Sequence, residues 1–307
     1  MEDNKGFNYK RLTPSAKSGG LIFSVAVVLN VFVGLIASII IGASNLAGTD
    51  AAKYISYLTS SVALAITLLL VRFLFNQPMR TLLPVKCHPK YIIIGLMLVF
   101  GLLFSLNSLN DYLIRLFELM GYTRRQSSLP NVTGWNLLPA ILVIAVLPAV
   151  LEEFLFRGAI LNNIEQEIGS VRTVFLVGFL FSLYHGTVEQ TIYQFICGCL
   201  FALLALRAKS VTPVVVIHFI NNALILILYS LNALDASGNL ILSQAGKIAI
   251  TVTSALCLVG AVVWLVLDKK VKGGIIKGES KSVAGFFIFA SAGIAITVLT
   301  WILGLFV

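Results

Sequence analysis

Apolar stretches near the length that crosses about 30 Å of hydrocarbon recur along this chain and leave little choice of fold. They run at about 21–43, 54–76, 91–109, 136–160, 171–187, 189–206, 213–232, 243–266 and 283–307. The hinge between the fifth and sixth is short, so eight or nine spans fit the pattern. In lipid the backbone must satisfy its own polar groups, and runs of this length do so as helices. The sequence therefore predicts an all-α, polytopic integral membrane bundle. With 58% hydrophobic and 11% charged residues, an ordinary soluble domain is excluded.

The polar segment 1–20 reads as a cytoplasmic tail and 21–307 as one transmembrane domain. The run Leu21–Ala43 is too long for a signal-peptide core, so it is expected to be retained as the first span. No repeat and no low-complexity tract interrupts the chain. Between spans, residues 110–121 form a clear amphipathic segment. Leu113, Leu116, Phe117 and Met120 share one face, Asp111, Arg115 and Glu118 another, and Gly121 ends it. This helix is expected to lie in the membrane surface.

The net charge of +9 bears on orientation and on lipid rather than on nucleic acid. Segments 1–20, 72–90, 157–172, 207–209 and 267–282 hold 17 of the 22 Lys and Arg. Lys53, Arg115, Arg124, Arg125 and Lys247 stand elsewhere. That asymmetry predicts a cytoplasmic N-terminus and a C-terminus outside. The basic patches at 72–90 and 267–282 read mainly as topology signals that can also meet anionic lipid. Trp135, Tyr54 and Tyr91 stand where interface anchors are expected.

Within an apolar run, Leu147-Pro148-Ala149-Val150-Leu151-Glu152-Glu153-Phe154-Leu155-Phe156-Arg157 carries three ionisable residues. Each costs roughly 2.5–3.5 kcal/mol at a helix centre, so a bystander role is unexpected. Glu153 and Arg157 are four apart in the favoured order for an ion pair on one helix face. Glu152 points about 100° away and is left without a local partner. Pro148, one turn earlier, removes a backbone bond and can bend the helix before the acids.

Two of the three histidines, His185 and His218, also lie in apolar spans. His88 reads as a solvated loop residue. His218 and Asn222 share a helix face at spacing four. A lone intramembrane histidine can be a hydrogen bond between helices. Two of them with a free glutamate and an asparagine suit peptide hydrolysis better. A carboxylate in a low-dielectric site can serve as general base on water. One imidazole can orient that water, and an amide with a second imidazole can meet an oxyanion. No serine or cysteine stands in a nucleophile context, and no His-Glu-x-x-His helix exists. Ser182 reads as a helix-packing hydroxyl. Cys197, Cys199 and Cys257 read as small core residues, and Cys197-Gly198-Cys199 is too short for a zinc site.

The ordered set Glu152-Glu153-x-x-x-Arg157, Phe181-x-x-x-His185 and His218-x-x-x-Asn222 resembles the three motifs of the CPBP family, also called the ABI or CAAX-protease family. That family includes the type II CAAX prenyl endopeptidase. The resemblance covers about 136–232. It implies an intramembrane endopeptidase with an eight-helix core. It assigns Glu152 as base, His185 to water activation and His218 with Asn222 to the oxyanion, with Glu153 and Arg157 supporting the site. No cofactor is required in this reading. If the site were a zinc site, Glu152, His185 and His218 would be its ligands.

The expected substrate is a membrane-associated peptide or protein cut near the cytoplasmic face. The alternatives are a non-catalytic immunity or regulatory binding protein on the same fold, and an ion-coupled carrier. Depth is the one discordant point. By a rise of ~1.5 Å per residue, Glu152 lies about 26 Å from Trp135 and His218 about 8 Å above Pro213, both near the inner side. By the same rise His185 lies about 20 Å above Arg172, too far outward.

Overall fold

The computed structural model describes residues 13–74, 86–124, 129–235, 238–268, 278 and 280–306. Among them no strand forms, and nine helices follow one another. They are α1 (Ala16–Ala43), α2 (Asp50–Leu74), α3 (Lys90–Leu119), α4 (Gly134–Ile168) and α5 (Ser170–His185), then α6 (Thr191–Ala208), α7 (Thr212–Ser230), α8 (Gln244–Leu267) and α9 (Ser280–Gly304). All but α5 have the length and apolar composition to cross a membrane, so the chain is a multi-pass membrane protein. α5 has 16 residues, about 24 Å at 1.5 Å per residue.

Helices in lipid gain little from burying apolar surface against one another, so close packing and hydrogen bonds must join them. At one crossing α5 and α6 touch through Gly178 and Gly198. A Cβ on Gly198 would stand 2.7 Å from the Gly178 Cα and 3.0 Å from its carbonyl oxygen. Ser182 donates to the Thr191 carbonyl (2.6 Å), closing the top of this hairpin as a packing hydroxyl. Gly198→Ala should force the pair apart and cost about 1–3 kcal/mol, the range for overpacking. A lower thermal midpoint in detergent checks this; an unchanged midpoint would mean that the helices can separate freely.

The other joints set the frame. The α4 end caps the α1 start, with Ala16 N–H donating to Glu167 (2.9 Å) and the Ser18 hydroxyl to Asn163 (2.7 Å). Lys90 and Tyr91 hold Asp268 at 2.6 and 3.0 Å, tying the α3 start to the α8 end. Tyr91 is thus a buried tie rather than a free interface anchor. Ser24 links α1 to α9 by donating to Phe289 O and accepting from Gly293 N–H.

Two expectations change. The amphipathic stretch 110–121 is no separate surface helix: it continues α3 through a wider i→i+5 turn at Leu102–Leu106. Its Ile114 packs with Val188, beside Phe117 and Trp301, while Leu116 and Met120 are exposed. Gly121, with φ +94°, follows the helix end as expected. And α4 runs to Ile168, eight residues past its expected end at 160. Its polar continuation looks like a loop in sequence, but Asn163 and Glu167 are spent on α1.

Candidate active site

Glu152 and Glu153 lie midway along α4, between two wide i→i+5 turns at Ile141–Val146 and Phe154–Ile160. Such turns leave backbone carbonyls to be met by other donors. The Asn162 and Asn163 side chains donate to the carbonyls of Gly158 (2.7 Å) and Ala159 (2.8 Å). Upstream, Pro148 has no N–H to offer the Ile144 carbonyl. The Asn222 side-chain amide of α7 approaches that oxygen at 3.4 Å. So Pro148 frees an acceptor that helps to seat Asn222.

The Glu153–Arg157 pair forms as its spacing predicts, with Nη1 to Oε1 at 3.0 Å and both side chains fully buried. Arg157 also donates to the Gly198 carbonyl at 3.0 Å. Its guanidinium carbon lies 4.5 Å from the Phe181 ring centre and 5.6 Å from that of Phe201. An arginine walled by aromatic faces exchanges part of its lost hydration for cation–π contact. It is therefore a core residue, and it drops out of the inner-loop cations that argued for orientation. Eight more of those cations fall in 1–12, 75–85 and 269–277, outside the described residues.

His218 of α7 approaches Glu153, not Glu152: Nδ1 lies 2.7 Å from Oε1. A carboxylate held by an arginine accepts, so Nδ1–H donates and Nε2 is the free ring nitrogen. His185 ends α5 with Nδ1 2.8 Å from the Phe181 carbonyl. A carbonyl can only accept, so Nδ1 carries the proton there too, and Nε2 holds the lone pair. That Nε2 faces Glu152 Oε2 at 4.0 Å. The distance is too long for a hydrogen bond and suits one atom in between. Glu152 Oε2 is buried without a hydrogen-bond partner among the described residues.

Glu152, Glu153, Arg157, His185, His218 and Asn222 thus come together from α4, α5 and α7. Sequence reasoning missed Tyr193, Asn221 and the Gly198 carbonyl. Tyr193 donates to Asn221 Oδ1 and Asn221 Nδ2 to Asn222 Oδ1, both at 3.2 Å. This chain fixes which end of the Asn222 amide is oxygen, and so which end can donate. Asn221 stood next to Asn222 in the motif, but nothing in the spacing points to Tyr193 on another helix.

Among the described residues no group of three or more His, Cys, Asp or Glu is arranged to hold a metal. His218 is engaged by Glu153 through Nδ1, while His185 faces Glu152.

Depth now reconciles. Because α4 extends to Ile168, Glu152 stands about 25 Å above the Gly169 turn, and His185 about 22 Å above Ser170, at ~1.5 Å per residue. By the same rise His218 is about 9 Å inside the α7 start. Glu152 and His185 therefore stand at one height, midway along α4 and at the far end of the short α5, while His218 lies nearer the start of α7.

Residues 134–224 match the family model described as type II CAAX prenyl endopeptidase Rce1-like. The match holds under a third of the chain, and it contains all six site residues. It agrees with the CAAX-protease resemblance of the three motifs. No curated protein and no solved structure matches the chain.

Proposed function

We propose, on the premise that 134–224 is a segment of the CAAX-type intramembrane protease kind, that this protein hydrolyses peptide bonds by a glutamate-activated water. The observation that carries the reading is the buried, unpartnered Glu152 Oε2 facing the lone pair of His185 Nε2 across 4.0 Å. Two acceptors facing each other are unfavourable alone and favourable around a water, which can donate one O–H to each. Glu152 then takes the proton as that water's oxygen attacks the carbonyl carbon. It returns the proton to the leaving amine as the C–N bond breaks.

The tetrahedral oxyanion needs donors. Asn222 Nδ2 is one, since its Oδ1 already accepts from Asn221. His218 Nε2–H is the other when the ring carries both protons, with Glu153 as the facing negative charge. Asn222→Ala should lower kcat by about 10²–10³ with little change in KM, the size expected for one oxyanion donor. Steady-state kinetics on one cleaved peptide would check it, and an equal kcat would remove Asn222 from this role.

The substrate in this reading is a membrane-associated peptide or protein. The N-terminus lies in the cytoplasm and the C-terminus outside, by the balance of cations left after Arg157 is set aside. No metal is needed. The test is cleavage of a quenched peptide library by purified protein, with and without a strong zinc chelator. Cleavage that survives chelation is expected. Cleavage lost to the chelator and restored by zinc would overturn the metal-free mechanism.

A further inference from the structure

A cavity of about 580 Å³ opens beside the site. It does not include Glu152, His185 or His218, but its wall includes Asn221, Asn222 and Tyr193. The lining residues at the helix ends, which we take as its mouth, are Asp111 and Arg124 at the end of α3, Glu189 in the α5–α6 turn, Asn239 between α7 and α8, and the exposed Lys247 in the first turn of α8. These positions lie at the end of the bundle opposite Lys17, Lys90, Arg207 and Asp268.

The wall is rich in neutral amides and hydroxyls. That chemistry is unusual between membrane helices, where polar groups normally line water or a ligand. An extended peptide carries an unpaired N–H and C=O on every residue and needs such partners once it leaves water. The volume falls within the roughly 300–1,000 Å³ usual for ligand sites. At the rim, Arg124 is held by Asp111 (2.6 Å) and Glu118 (3.0 Å). Lys247 is exposed and makes no ion pair with any described residue.

We infer that this cavity is the substrate-binding site, reached from the face opposite the basic stretches. It holds an extended peptide segment with an acidic residue at the Lys247 rim. The inference rests on the peptidase reading for what happens next, not for the binding itself. With the N-terminus inside, the substrate comes from the outer side of the membrane.

The test places a photocrosslinking amino acid at Thr251 in the cavity wall, or at Asn239 at its mouth. The protein also carries Glu152→Gln, and the probe is a biotinylated random-decapeptide library. The same group at Phe287, exposed on α9, is the control. Capture at Thr251 and Asn239 well above Phe287 is expected, enriched in Asp and Glu. Lys247→Glu should shift the ratio of acidic to basic captured peptides by about tenfold. An impermeant thiol reagent should label Asn239→Cys from outside intact cells.

Capture no greater than at Phe287, at both positions, would overturn the site, even if wild-type protein cleaves peptides. Capture without wild-type cleavage would uphold the cavity and sink the peptidase reading instead. Labelling of Asn239→Cys only in inverted vesicles would overturn the side of access.

Discussion

Glu153→Ala should cost about 3–5 kcal/mol, enough to keep most of the protein from being recovered folded. The reason is what remains. Arg157 is fully buried, and Glu153 Oε1 is the carboxylate oxygen bonded to it. Removing that oxygen leaves a guanidinium in the membrane interior with the Gly198 carbonyl and aromatic faces as its contacts. It also strips His218 of its acceptor, so α7 loses a tie to α4. Glu153→Gln, which keeps an oxygen in place, should cost less. The double variant Glu153→Leu with Arg157→Met should be less harmful than either Glu153→Ala or Arg157→Met alone, because no buried charge is left unpaired. Monodisperse recovery and thermal midpoints across this set check it. Glu153→Ala with a wild-type midpoint would show that Arg157 finds other compensation.

Glu152→Gln should do the reverse. Its Oε2 has no partner among the described residues, so the substitution breaks no such bond and removes a buried charge. The thermal midpoint should be equal or higher. The rate should fall by about 10²–10⁴, the usual contribution of a general base. In the proposed mechanism adjacent glutamates divide between structure and chemistry, so the two variants should separate stability from turnover.

Much of this was legible before any fold. The four-residue spacing of Glu153 and Arg157 forces them onto one face, so the ion pair and the free Glu152 followed from helix geometry. The positions of the spans followed from the apolar runs, although α3 and α4 run on past theirs. What sequence could not give was the partner from another helix. His218 sits by Glu153 because α7 crosses α4 there, and Gly198 offers its carbonyl to Arg157 because two glycines let α6 approach α5. The α4 extension was misread because polar Asn163 and Glu167 resemble a loop until α1 takes them up. That misreading made His185 look too far out, when the turn below it was too high. The 110–121 segment was misread because amphipathicity sets a face, not whether the chain breaks before it.

The measurement that bears most directly on the mechanism is the cleavage rate of one library-selected peptide by wild type and Glu152→Gln. Both proteins should first be matched by thermal midpoint. A rate lost in Glu152→Gln at an undiminished midpoint is the expected result. Equal rates in two equally folded proteins would contradict the role of Glu152 as the base.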